Sequence, residues 1–210
     1  MRLFSPPKIL RLFFPDMLWQ MPAGGKRIYL TFDDGPHPRI TPKVLDILDS
    51  FNAKATFFCI GHNVERYPDV FEEIKRKGHL VGNHTYDHND GFSLKDNDFY
   101  EEIIKTDELV KSPFFRPPHG KIRFRQIKHL KEDFTIVAWT VIAYDWDKKL
   151  SPKRCFDKVV SNTGDGSIVA FHDSEKAEAN MLEVLPRVLR YFSDRGYTFS
   201  SLTSQSISPD

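Results

Sequence analysis

From residue 28 onward the chain alternates short apolar runs with longer amphipathic ones, and no other feature limits its fold so strongly. "IYLTF" is followed by "TPKVLDILDSF", "ATFFCI" by "YPDVFEEIKRKG", and "HLVGN" by a polar loop and "DFYEEIIKTDELVK". The pattern continues through "PFFRP", a helical stretch near "RFRQIKHLK", "FTIVAWTVIA", "SPKRCFDKVVSN", "SIVAFH" and a last helix before "YTFSSL". Strands separated by helices make a parallel sheet, because a parallel pair needs a crossover long enough to hold a helix. The expectation is an α/β fold with about seven parallel strands. Thr41-Pro42 and Ser151-Pro152 each read as an N-cap followed by proline at the first helical position. Gly78 and Gly196 stand where left-handed C-terminal caps belong, and Pro186 must either delay or kink the last helix.

The polar residues of interest fall at strand ends: Asp33 and Asp34 after the first strand, His84 after the third, Arg116 after the fourth, Asp145 after the fifth and His172 after the sixth. In α/β barrels and open sheets, sites form at the carboxyl ends of the strands, so these residues converge on one mouth. The pair in "LTFDDGPHP" poses a problem, since neighbouring side chains of a regular strand point to opposite faces. If both aspartates serve one site, the pleat must break within or just after the pair, and Gly35-Pro36 supplies the residues for it. His84 and His88 in "GNHTYDH" are four apart, so on a helical turn both imidazoles reach one ion. A catalytic zinc site takes three protein ligands and leaves one position open; one aspartate can be the third ligand and the other a base.

Composition excludes other classes. Thirty Lys and Arg against 29 Asp and Glu give a net charge of +1, with no basic block for a nucleic-acid backbone. Cys59 and Cys155 both sit in apolar settings and read as packed thiols, not as a disulfide. The first 27 residues, rich in Leu and Phe, are broken by Pro6, Pro7, Arg11, Pro15 and Asp16, too often for a membrane span or a signal peptide's apolar region. They are expected to form an arm packed on a single domain of residues 28–210, with Trp19 as an anchor, in a monomer. By sequence no clear export signal is visible and the chain is expected to be cytoplasmic, although a sugar-polymer substrate would point to the cell envelope or outside.

"TFDDGP", "HTYDH", "RPPHG", "DW" and "FHD", in this order over roughly residues 28 to 200, resemble the polysaccharide deacetylases, the carbohydrate esterases of the NodB homology domain. The resemblance implies a distorted (β/α) barrel with the active site at the C-terminal ends of the strands. It also implies metal-dependent removal of acetyl groups from chitin-like, peptidoglycan-type or O-acetylated sugar polymers. Carried over residue by residue, it makes Asp33 the base, Asp34, His84 and His88 the metal ligands, and Arg116 the partner of the base. Asp145 tunes His172, the acid that protonates the leaving nitrogen. The cofactor is one divalent ion, zinc first, with cobalt and manganese also compatible.

Three positions depart from the family pattern. His119 replaces the tyrosine of "RPPYG" but still offers a backbone oxyanion donor, Ile142 replaces the first acid of "DxxDW", and Ala170 replaces the leucine of "LxH" and should widen the acetyl pocket. His119 and Trp146 are the expected substrate contacts, Trp139 is expected in the core, and Asp173 as a turn cap. His37, His62, His79 and His129 show no partner pattern. Two other readings share these residues: a carbohydrate-binding protein that has kept the fold without catalysis, and a non-haem iron oxygenase built on the same His/His/Asp triad.

Overall fold

The computed structural model describes residues 3–203, so residues 1–2 and 204–210 of the two expected segments lie outside the described residues. The arm contributes α1 (Lys8–Phe13) and β1 (Met17–Leu18). Then follow β2 (Arg27–Asp33), α2 (Thr41–Ser50), β3 (Ala55–Cys59), α3 (Gly61–Arg66), α4 (Pro68–Arg76), β4 (Leu80–Asn83), α5 (Asp96–Val110) and β5 (Phe114–Phe115). After a 3-10 turn at Pro118–Gly120 come α6 (Phe124–Leu130), β6 (Thr135–Val137), β7 (Val141–Ile142), α7 (Pro152–Asn162), β8 (Ile168–His172), α8 (Glu178–Ser193) and β9 (Thr198–Phe199).

Among the described residues nine strands form one sheet in the order β1-β6-β5-β4-β3-β2-β8-β7, with β9 also on β2, and the ladders between them are parallel. The two strands beyond the expected seven have separate origins. The arm itself supplies β1, and "FTIVAWTVIA" divides into β6, beside β1 at one end of the strand order, and β7 at the other end. Between them three residues bridge the seam where the two ends of the sheet meet. Ala138 donates its N–H to Leu18 O (2.8 Å), Thr140 donates its own to Ile168 O (2.9 Å), and Gln20 bridges Ser167. The barrel therefore closes through single residues and not a continuous ladder, which is its distortion.

The central strand β2 shows how the layers form. Ile28, Leu30 and Phe32 join the outer core with Val44, Leu45 and Leu48 of α2 and Val184, Leu185 and Val188 of α8. Tyr29 belongs instead to the inner cluster with Phe58, Val137 and Ile168. Period-two alternation thus sends Tyr29, Thr31 and Asp33 into the barrel while the apolar partners anchor the helices, each buried Leu or Phe side chain contributing about 1.5–3 kcal/mol.

Ser151 caps α7 by accepting the Arg154 N–H, and Gly78 and Gly196 have φ of 74° and 76°. Thr41 does not cap α2. It is the first helical residue, and its hydroxyl accepts the His37 N–H and donates to Asp173. α8 runs through Pro186, and both cysteines are free and buried.

Candidate functional site

β2 ends at Asp33, and the next residue, Asp34, has φ 80°, followed by a cis Gly35-Pro36 bond. The pleat breaks between the two carboxylates, turning the second, which a continued strand would send outward, toward the same mouth. A Cβ on Gly35 would lie 2.2 Å from Asp173 Oδ2, so only glycine lets the turn pass this buried carboxylate. Asp173 is no surface cap: it is fully buried, its N–H donates to Asp33 O (3.1 Å), and burial pushes its carboxyl up to about 7.

Arg116, fully buried, enters from the end of β5. Its Nη1 donates to Asp33 Oδ1 (2.6 Å) and Thr31 Oγ1 (2.7 Å), Nη2 to Ala138 O (2.9 Å) and Nε to Val137 O (3.3 Å), while the guanidinium lies 4.2 Å over the Phe58 ring. Burial lowers the guanidinium pKa and Asp33 opposes that shift, and the four hydrogen bonds fix the guanidinium in direction.

His84 and His88 stand close enough to share one ion, but not on a helical turn. They flank a bent loop after β4 in which Thr85 and His88 have φ of 63° and 60°. Asn83 Oδ1 accepts the Thr85 N–H, and the Glu102 carboxylate on α5 accepts the N–H groups of Tyr86 and Asp87, so the polar groups a helix would satisfy internally are met from outside. His84 Nδ1 donates to Arg116 O (2.7 Å), which leaves its Nε2 lone pair facing Asp34. Asp34 Oδ1 lies 3.8 Å from His84 Nε2 and 3.2 Å from His88 Nε2, and the three ligand atoms lie within 4.8 Å of one another. A tautomer fixed by a backbone carbonyl is what a metal-ligating histidine requires, so this set fits a divalent ion. Burial drives His84 down to about 4, keeping it neutral near pH 7. Burial would raise the Asp34 carboxyl, yet the His88 hydrogen bond and the surrounding histidines hold it far below the usual carboxylate range.

Across the cavity, Asp145 grips His172 twice: Oδ1 pairs with His172 Nδ1 (2.9 Å) and Oδ2 accepts the His172 N–H (2.8 Å). Burial works against an imidazolium here, but the Asp145 charge and hydrogen bond outweigh it and raise His172 to about 9. The Trp146 ring packs edge-on at 4.4 Å from His172, and Asn180 donates to Asp145 O (3.2 Å) and Leu150 O (3.1 Å), holding that loop. One cavity of about 430 Å³ takes in Asp33, Asp34, His84, His88, His119, Trp146 and His172. Arg116 and Asp145 lie buried behind it.

The model of the polysaccharide deacetylase family matches residues 20–133. A peptidoglycan-N-acetylglucosamine deacetylase of Bacillus cereus is 35% identical over 191 residues, covering 87% of this chain and 69% of the relative. The chain belongs to the polysaccharide deacetylase family. A peptidoglycan-N-acetylmuramic acid deacetylase of Bacillus subtilis is 31% identical over 178 residues, which cover 82% of this chain and 37% of that longer protein. The crystal structure of the Bc1960 peptidoglycan N-acetylglucosamine deacetylase in complex with 4-naphthalen-1-yl-N-oxidanyl-benzamide superposes with a TM-score of 0.88 at 31% identity, covering 97% of this chain and 98% of that one. The chain is thus a polysaccharide deacetylase, a hydrolase, and the oxygenase reading falls.

Two expectations at the wall of this deacetylase are corrected. Trp139 is half-buried and lines the cavity, because it lies on the crossing between β6 and β7 instead of in a strand. Ala170 is fully buried and does not line the cavity; Ile142, its register partner, does. His79 is buried and its Nδ1 accepts the Ala55 N–H, whereas His129 is exposed, with its ring 4.4 Å from that of Tyr100. Sequence reasoning missed Asn83, Glu102 and Asn180, which hold the loops, and Leu3, Pro6, Pro7 and Leu10 of the arm, which line the cavity beside the aspartates. The prolines of the arm were the one available signal, since they mark an extended segment laid along a surface.

Proposed function

We propose that this chain hydrolyses the acetamide of an N-acetylated glycan of peptidoglycan or chitin type, releasing acetate and leaving a free amine. The observation that carries the reading is the placing of two oppositely built ion pairs, Arg116–Asp33 and Asp145–His172, on either side of the Asp34/His84/His88 group. The N-acetylglucosamine and N-acetylmuramic acid named for the relatives support an N-acetyl substrate over an O-acetyl ester. Asp34, His84 and His88 would hold a divalent ion, zinc first, with cobalt and manganese as alternatives. When bound, it supplies Lewis-acid polarisation and a water acidified to a pKa of about 7.

Asp33, held at Oδ1 by Arg116, takes the proton of the attacking water. The His119 N–H, in a left-handed turn with φ 58° at the cavity wall, is the donor proposed for the developing oxyanion. His172, kept protonated by Asp145, delivers its proton to the departing nitrogen, a step that contributes roughly 10²–10⁴-fold as general acid catalysis does elsewhere. Acetate release from N-acetylglucosamine oligomers, peptidoglycan fragments and acetylxylan, each with zinc, cobalt or manganese, tests the reading. Turnover on the N-acetylated substrates supports it. Sugar binding without acetate release under every metal would return the chain to the non-catalytic carbohydrate binders.

A further inference from the structure

We propose that the amino-terminal arm docks the protein on an anionic bilayer surface, with the catalytic cavity opening beside the lipid headgroups. Nine large apolar side chains of the described residues are exposed, and five of them, Leu3 (49%), Ile9 (59%), Leu10 (37%), Leu12 (79%) and Phe13 (61%), fall within this short arm. Phe124 (56% exposed) extends the patch by stacking on Phe14 at 4.6 Å. Scattered exposed apolar residues need no explanation, but five concentrated in residues 3–13 mark an interaction surface.

Charge selects the partner. Residues 1–14 hold Arg2, Lys8 and Arg11 and no Asp or Glu, in a chain whose acids and bases otherwise nearly cancel. Asp16, the first acid beyond them, is paired with Lys131 at 3.2 Å. A two-fold dimer through this patch would set cationic arm against cationic arm, whereas anionic headgroups complement it. A segment whose sequence combines Leu, Ile and Phe with Lys and Arg and lacks acids suits the interface plane, and no helix of the described residues is long and apolar enough to cross a membrane.

The same segment reaches the site. Leu3, Pro6, Pro7 and Leu10 line the cavity that holds Asp33, Asp34, His84 and His88, so seating the arm on lipid brings the cavity to headgroup level. Resting on the deacetylase reading, this favours acetylated glycans carried at or against a membrane over polymer free in solution.

Flotation of the full chain with phosphatidylglycerol–phosphatidylcholine vesicles tests the docking without any substrate. Wild type should float with these vesicles and not with pure phosphatidylcholine, and high salt should weaken the association. Leu12→Glu and, separately, Phe13→Glu should each lower vesicle binding about tenfold or more while leaving the melting temperature and acetate release from a soluble oligomer unchanged. Neither side chain lines the cavity. Failure to float on anionic vesicles, binding indifferent to both substitutions, or a dimer in light scattering that the substitutions split would each overturn the proposal. If wild type floats but releases no acetate from any substrate, the docking stands and the assigned reaction fails.

Discussion

The side of the cavity proposed to hold the ion rests on His84, buried, and the side proposed to supply the acid on His172, partly buried, yet the two are driven in opposite directions. His84 donates Nδ1–H to a neutral carbonyl of Arg116 and falls to about 4; His172 offers Nδ1 to the Asp145 carboxylate and rises to about 9. Burial opposes the charged form in both, so the partner atom decides the outcome. A neutral imidazole with a free lone pair is a ligand, and an imidazolium is a proton donor. The same residue type is therefore suited to two jobs within one cavity, and pKa values pushed apart in this way mark where acid and base roles divide.

The most forceful way to break this division is to remove the ion. Chelation, or His84→Ala, should abolish acetate release by on the order of 10³-fold or more, and added zinc should restore the chelated wild type but not the variant. Next in size, Asp33→Asn should cost roughly 10²–10⁴-fold in kcat with metal stoichiometry unchanged; normal turnover with the metal bound would remove Asp33 from the base role.

His172→Ala sharpens the contrast, because it should cost about 10²-fold or more on an acetamide but far less on an activated acetyl ester, whose leaving group needs no proton. Equal losses on both would mean that His172 is not the acid. A smaller effect lies in the pH dependence of the metal-free protein. Since folding raises His172 above its unfolded value of about 6.5, the stability it lends is fully present below that pH and is lost as pH rises through about 9. Asp145→Asn should flatten this dependence in urea titrations and move the His172 midpoint, followed by NMR, down toward 6.5 or below. A bound dication opposes the imidazolium, so the alkaline limb of activity should lie below 9 in the loaded enzyme. The smallest change, Ser151→Ala at the α7 cap, should cost about 1 kcal/mol in stability and leave turnover alone, which separates general destabilisation from damage to either side.

Much of this was legible in the residues. Alternation revealed the parallel strands, and "DDGP" announced the broken pleat that Asp34 at φ 80° displays. What escaped was whatever depends on distant partners. The His84–His88 loop takes its shape from Glu102, sixteen residues away from Tyr86 on another element, and no local spacing encodes that. Ala138 to Thr140 continue an apolar run in sequence, but their hydrogen bonds go to two different parts of the barrel, so one expected strand became two. Thr41 looked like a cap until Asp173, far along the chain, claimed its hydroxyl. β1 was hidden because two residues of pairing leave no periodicity to detect.

The register of β2 against β8 makes Asp33 and His172 direct partners across two hydrogen-bonded strands. The backbones bearing the two groups are spaced by the sheet at about 4.8 Å, the same repeat that governs every ladder, and not by any loop. The sheet acts as a ruler for the reaction: whatever enters must present its scissile bond within a span that peptide hydrogen bonds have already measured. Loops and arm are then free to change what is admitted, while the spacing between the proposed base and the proposed acid stays constant.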